Sequence, residues 1–250
     1  MRKFGLIGFP LSHSWSKKYF QEKFLKENII DCAYALYPLQ DINELPVLLE
    51  SEKDLLGINV TIPYKTTVIP FLHSVSEEAK EIGAVNVIKI RRTGDKEPYL
   101  TGFNSDVTGF IQSLTPLLKG QKNALVLGTG GSSKAVVYAL KKLGFKVTSV
   151  SRTRGNGILT YSDIDEAIMR KSKIIVNTTP VGMFPDTANK PAIPYKFLQP
   201  GHILFDLVYN PETTLFMKMG QEAGCTVVNG YEMLRLQAER AWEIWNDENI

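Results

Sequence analysis

The 250-residue chain is 44% hydrophobic and carries 29 Lys and Arg against 26 Asp and Glu, a net charge of +3. This is enough apolar material for a substantial core, and too little positive charge to point to nucleic acid as a partner. Apolar runs are broken by glycine, proline or charge short of the roughly 18 residues a membrane span needs, and MRKFGLIGFP has no signal-peptide cleavage pattern, so the sequence reads as a cytoplasmic protein with no membrane partner.

KFGLIGF reads as a strand and SKKYFQEKFLKEN as a helix. CAYALY is followed by helical INELPVLLES, GINVTI by helical YKTTVIPFL and SEEAKEIG, and AVNVIKI is again a strand. This βαβ rhythm predicts an α/β fold with a mostly parallel sheet and helices on its faces. RRTGDKEP supplies turn residues for a hairpin between AVNVIKI and YLTGF. After a helix over DVTGFIQSLTPLL the rhythm restarts, with strands at NALVLG, KVTSVS, KIIVNTT, HILFDLV and TVVNG and a helix running from a glycine turn to Leu143. Two α/β domains with a cleft between them are therefore expected, with the break near residues 102–106. They are 1–103, joined by a C-terminal helix within 231–250, and a Rossmann-like 104–230. Cys32 and Cys225 stand far apart in apolar surroundings, and His13, His73 and His202 have no ligand spacing, so neither a disulfide nor a metal site is expected.

LVLGTGGSSKAVVYAL has the form strand, tight turn, helix. Gly128, Gly130 and Gly131 allow a close backbone approach, and the helix start offers N–H groups to a pyrophosphate, with Thr129 and Ser132 in the same turn. From Gly120 to Ser162 there is no Asp or Glu, while seven Lys and Arg fall inside. The next strand ends without the acid that binds a ribose 2′-hydroxyl and continues Ser151, Arg152, Thr153, Arg154. Two guanidiniums and two hydroxyls suit a 2′-phosphate, which favours NADP(H) over NAD(H) as the cofactor.

Other polar residues stand where neither core nor surface explains them. If NVTIPYK ends a strand and opens a helix, Lys65 sits against the dipole of that helix and needs a reason to be there. Asp106 falls in the first turn of a helix that Asn104 or Ser105 can cap, a favourable place without any function. Asn86 lies between apolar residues in an expected strand. Gln237 shares a helical stripe with Leu234, Ala238, Ala241 and Trp245, so its amide needs a partner in packed protein or a cleft.

In order, GFPLSHSWS, NVTIPYK, GAVN, GFNSD, GTGGSS, SRTR, NTTPVGM, DLVYNPETT and NGYEMLRLQA make the chain resemble the shikimate dehydrogenase family along essentially its whole length. The resemblance implies an NADP-dependent oxidoreductase that reversibly reduces 3-dehydroshikimate to shikimate on the route to chorismate and the aromatic amino acids. It makes 1–103 the substrate domain and 104–230 the NADP domain of a monomer or homodimer. It also implies that Ser14 and Ser16 bind the substrate carboxylate, side by side if the segment is extended. Thr61, Asn86, Tyr209 and Gln237 would contact ring hydroxyls or carboxylate, Leu207 and Gly230 would line the nicotinamide pocket, and Lys65 with Asp106 would form the catalytic pair. Lys17, Ser105, Ser132, Ser151 and Arg235 depart from the family pattern without removing a catalytic group. Two alternatives stay open: a quinate or quinate/shikimate dehydrogenase, which the serine pair and the arginines disfavour, and a sensor of NADP(H) or shikimate without turnover, which would be expected to lack Lys65 or Asp106.

Overall fold

The computed structural model describes residues 1–11, 14–94 and 97–249. Ser12 and His13 lie outside them. The chain forms two compact units, 1–105 with 238–250, and 106–237.

The first unit has six strands: β1 (Arg2–Gly8), β2 (Cys32–Pro38), β3 (Leu55–Val60), β4 (Ser74–Val75), β5 (Val87–Arg91) and β6 (Tyr99–Phe103). They lie in the order β2-β1-β3-β5-β6-β4. β1 is parallel to β2 and β3, and β4 to β6, while β5 runs antiparallel to both β3 and β6, forming the expected hairpin with β6. Strand alternation sends Phe4 and Leu6 to one core and Ile7 to another, so each face of the sheet is covered. Helices α1 (Trp15–Lys26), α2 (Leu45–Ser51) and α3 (Glu77–Ile82) pack around it. The end of the C-terminal helix completes one face. Trp245 stacks on Phe4 with ring centroids 4.8 Å apart and donates its indole N–H to the Ile88 carbonyl at 3.0 Å. It fits because residue 57 is glycine, where a Cβ would lie 2.4 Å from the indole.

YKTTVIPFL is not the expected helix. Residues 62–68 form consecutive turns that run into a single 3-10 turn at Ile69–Phe71. Thr66, Thr67, Val68 and Ile69 are a β-branched run followed by Pro70, which cannot donate a helical hydrogen bond, and both features oppose helix propagation. Lys65 therefore faces no helix dipole of its own segment.

The second unit contains α4 (Asp106–Leu114), β7 (Asn123–Leu127), α5 (Gly131–Lys142), β8 (Lys146–Ser151), β9 (Ile158–Thr160), α6 (Glu166–Lys171), β10 (Ile174–Asn177), β11 (Ile203–Asp206), α7 (Leu215–Glu222) and β12 (Thr226–Val228). The last helix, α8 (Tyr231–Asn246), begins in this unit and ends in the first. The sheet order is β12-β11-β10-β7-β8-β9, parallel throughout. This is the doubly wound arrangement of dinucleotide-binding folds, with the order reversing between β7 and β10. The fold class is the expected α/β. β9 was not expected, since three residues in a polar stretch carry no periodic signal. No helix among the described residues is long and apolar enough to cross a membrane.

Candidate active site

In the first unit the ends of β1 and β3 are tied together. Thr61 N–H donates to the Ile7 carbonyl at 2.9 Å and Phe9 N–H to that of Ile62 at 3.1 Å. Because β5 runs the opposite way, its start lies at the same sheet edge, where Val60 N–H donates to the Asn86 carbonyl at 2.8 Å. Val85 N–H donates to the Lys65 carbonyl at 2.7 Å. The topology thus gathers Thr61, Lys65 and Asn86 at one edge. Asn86 lies on a bend just ahead of β5, not within the strand. Its side chain is buried and fixed, donating to the Ser105 hydroxyl at 3.0 Å and accepting from Ser105 N–H at 2.7 Å.

Ser14 occupies the cap position of α1, yet its hydroxyl makes no capping bond. That oxygen is buried with no hydrogen-bond partner among the described residues. An unsatisfied buried hydroxyl is costly and is expected where a ligand completes it. Ser16 is in the first turn of α1, so the two serines are arranged by a helix start and not by extended alternation. Ser16 hydrogen-bonds the Tyr34 phenol, and burial pushes that phenol well above its usual range. Tyr34 donates to Asn59 Oδ1 at 2.8 Å, and the Asn59 amide reaches the Asn86 carbonyl at 3.4 Å. Neither Tyr34 nor Asn59 was singled out from the sequence, although an amide in the apolar strand GINVTI was the available signal.

In the second unit Asp106 opens α4 and is buried, with its charge at the positive end of the helix. α4 presses on α8 at Gly109, where a Cβ would lie 2.5 Å from the Met233 carbonyl. Gln237, also buried on α8, donates to the Leu234 carbonyl at 2.9 Å. The packed helices therefore present an acid and an amide at fixed places.

The glycine turn follows β7. Gly128 has φ +112°, and a Cβ there would lie 2.6 Å from Thr178 Oγ1. Gly130 precedes α5, has no atom within 4 Å of where a Cβ would stand, and α5 has neither a side-chain cap nor an acid in its first turn. The start of a 12-residue helix with no side-chain cap fits a pyrophosphate. Thr129 is exposed in the turn, with Gly131 and Ser132 next to it. Ser133, which was overlooked beside Ser132, fastens the turn by donating to the Gly128 carbonyl at 2.6 Å.

β8 ends at Ser151, and Arg152, Thr153 and Arg154 are exposed beyond it. The two arginines are not equivalent. Arg154 Nη2 lies 2.5 Å from Asp163 Oδ1, whereas no carboxylate pairs with Arg152 among the described residues. The Thr160 backbone N–H and hydroxyl, with Arg154, hold the Asp163 carboxyl below its usual range. At the end of β11, Gly230 N–H donates to the Val208 carbonyl at 3.2 Å, and a Cβ on buried Gly230 would lie 2.1 Å from the Leu207 carbonyl. Leu207 and Gly230 are thus neighbours, with half-buried Tyr209 two residues along.

Residues 6–88 match the shikimate dehydrogenase substrate binding domain. A shikimate dehydrogenase (NADP(+)) of Clostridium beijerinckii is 39% identical over 261 residues, covering 99% of this chain and 93% of that protein. The chain belongs to the shikimate dehydrogenase family. Among solved structures, shikimate 5-dehydrogenase from Thermus thermophilus in complex with NADP(H) and shikimate superposes on this family member with TM-score 0.85 at 30% identity, covering 98% of this chain and 94% of that one. A quinate dehydrogenase from Corynebacterium glutamicum in complex with NAD gives TM-score 0.84 at 28% identity, with coverage of 98% and 93%.

Two further polar residues of this shikimate dehydrogenase-family chain escaped the sequence reading. Asp206 at the end of β11 and Asn177 at the end of β10 are fully buried and bonded to each other at 2.9 Å. Burial pushes the Asp206 carboxyl up to about 6, against the opposing pull of hydrogen bonds from Thr214, Val208 and Asn177.

Proposed function

We propose that the chain catalyses the reversible NADP(H)-dependent reduction of 3-dehydroshikimate to shikimate, the first unit holding the substrate and the second the cofactor. The observation that carries this reading is the buried Ser14 hydroxyl, which has no hydrogen-bond partner among the described residues and is joined through the α1 start, Tyr34 and Asn59 to the strand edge of Thr61 and Asn86. A carboxylate would satisfy that hydroxyl together with Ser16. Thr61, Asn86, Tyr209 and Gln237 are the proposed contacts to ring hydroxyls or carboxylate.

Lys65 donates the proton to the forming alkoxide and takes it back in the oxidation direction, while Asp106 accepts a hydrogen bond from the reacting hydroxyl and orients the ammonium. The nicotinamide, when bound, supplies or accepts the hydride. Gly128, Thr129, Gly130, Gly131 and Ser132 would hold the pyrophosphate, Ser151, Arg152, Thr153 and Arg154 the 2′-phosphate, and Leu207 and Gly230 the nicotinamide. The protein is proposed to act in the cytoplasm as a monomer or homodimer on small molecules, without nucleic acid or membrane.

The test is an initial-rate panel on the purified chain, offering shikimate and quinate each with NADP⁺ and NAD⁺. The rate is expected mainly with shikimate and NADP⁺. Equal or greater rates with quinate and NAD⁺ would overturn the specificity, and no rate with any pair would overturn the activity.

A further inference from the structure

Beneath the proposed nicotinamide pocket lies a buried polar cluster that none of the steps above uses. Asp206 accepts three hydrogen bonds: from Asn177 Nδ2 at 2.9 Å and Val208 N–H at 3.1 Å on Oδ1, and from the Thr214 hydroxyl at 2.6 Å on Oδ2. Leu207 N–H donates to the Asn177 carbonyl at 2.9 Å, and the Val208 carbonyl accepts from Gly230 N–H at 3.2 Å. Leu207 and Gly230 are therefore clamped from below by Asp206 and Asn177. On its other side Asn177 Oδ1 accepts the backbone N–H of Thr179 at 3.1 Å and its hydroxyl at 2.6 Å. Next to it, Thr178 donates its hydroxyl to the Leu127 carbonyl at 2.6 Å, with Oγ1 filling the space that a side chain at Gly128 would need. One chain of contacts thus runs across the ends of β11, β10 and β7, from the nicotinamide loop to the glycine turn.

We infer that Asp206 is a positioning residue for the cofactor, its carboxylate fixing the 207–214 loop directly and the 178–182 loop through Asn177. This rests on the proposed placement of the nicotinamide against Leu207 and Gly230. A neutral side chain would fill the place with a smaller desolvation penalty. What only the carboxylate can do is accept from three donors at once. Once protonated, it would have to donate a hydrogen. Asn177 Nδ2 and Val208 N–H cannot accept one, so the new O–H must point at Thr214 Oγ1, whose own hydrogen then turns away, and a charge-assisted bond is replaced by a weaker neutral one. Protonation therefore loosens the Thr214 end of the loop. The titratable group that faces Asp206 is Tyr195, whose phenol is pushed up by burial and by the Asp206 charge.

The experiment is NADPH binding by fluorescence titration between about pH 5 and pH 8, alongside thermal melting, on wild type, Asp206→Asn, Thr214→Ser and Thr214→Val. Asp206→Asn is expected to bind NADPH about tenfold more weakly at high pH, the loss of roughly one charge-assisted hydrogen bond, while melting no lower than wild type. The difference is expected to vanish as pH falls below about 6, since the variant-to-wild-type ratio cancels the titration of the cofactor's own phosphate. Thr214→Ser should keep wild-type affinity and Thr214→Val should lose it. Equal affinity of Asp206→Asn and wild type at every pH, or an affinity loss that only tracks a lower melting temperature, would refute the inference while leaving the proposed function standing. Absence of NADPH binding by wild type itself would overturn the cofactor reading and this inference with it.

Discussion

Arg152→Ala and Arg154→Ala form a paired test of how the chain distinguishes NADP(H) from NAD(H). Both guanidiniums follow β8, but Arg154 is held at 2.5 Å by Asp163 and no carboxylate among the described residues holds Arg152. Charge-assisted hydrogen bonds contribute about 1.5–3 kcal/mol, and the exposed loop favours the lower part of that range. At about 2 kcal/mol, Arg152→Ala should lower kcat/KM with NADP⁺ about 30-fold and leave that with NAD⁺ within about twofold. Arg154 would first have to leave Asp163, so its removal should lower kcat/KM with NADP⁺ by less than the removal of Arg152. Initial rates at saturating shikimate, repeated at low and high salt, read both effects, and the Arg152 effect should shrink as salt screens the phosphate. A parallel fall with NAD⁺ after Arg152→Ala, or a larger loss from Arg154→Ala, would show that the 2′-phosphate is not read in this way.

Lys65→Ala should cut kcat about 100-fold or more, with the NADPH Kd within about twofold of wild type; retained turnover would remove Lys65 from the proton transfer. Gly128→Ala places a Cβ 2.6 Å from Thr178 Oγ1 at φ +112°, and should destabilise the fold by about 1–3 kcal/mol in urea while weakening NADPH binding. Unchanged stability and affinity would show that the turn tolerates a side chain. Tyr34→Phe leaves Asn59 Oδ1 without its 2.8 Å donor, a buried loss of about 1–3 kcal/mol. It should raise the KM for shikimate more than it lowers kcat, and an unchanged KM would separate Tyr34 from the serine site.

Local signals carried the elements whose ends are written in their own residues. The expected helix SEEAKEIG forms α3 because the Ser76 hydroxyl caps Ala79 N–H at 3.3 Å and Gly83 closes it at φ 67°. YKTTVIPFL misled because Tyr64 and Val68 are buried at helical spacing, yet the β-branched run and Pro70 limit them to turns. The serine motif was legible as a site but not in its geometry, since whether Ser14 and Ser16 lie on a strand or a helix start depends on where α1 begins. Tyr34 with Asn59, and Asn177 with Asp206, were illegible for a different reason. Their partners lie 25 and 29 residues away, and they meet only once the strand order is known. The family resemblance implied residues for the ligands but left these buried pairs unassigned.

The seating of Trp245 over Gly57 ties the beginning of the chain to its end. The core in which Phe20 of α1 packs against Phe4 and Tyr34 of the first sheet is finished by Ala238, Ala241, Ile244 and Trp245, which are synthesised after the whole of the second unit. During translation that aromatic core stays unfinished, lacking its α8 residues, while the second unit emerges. The unit made first is thus the last to be completed.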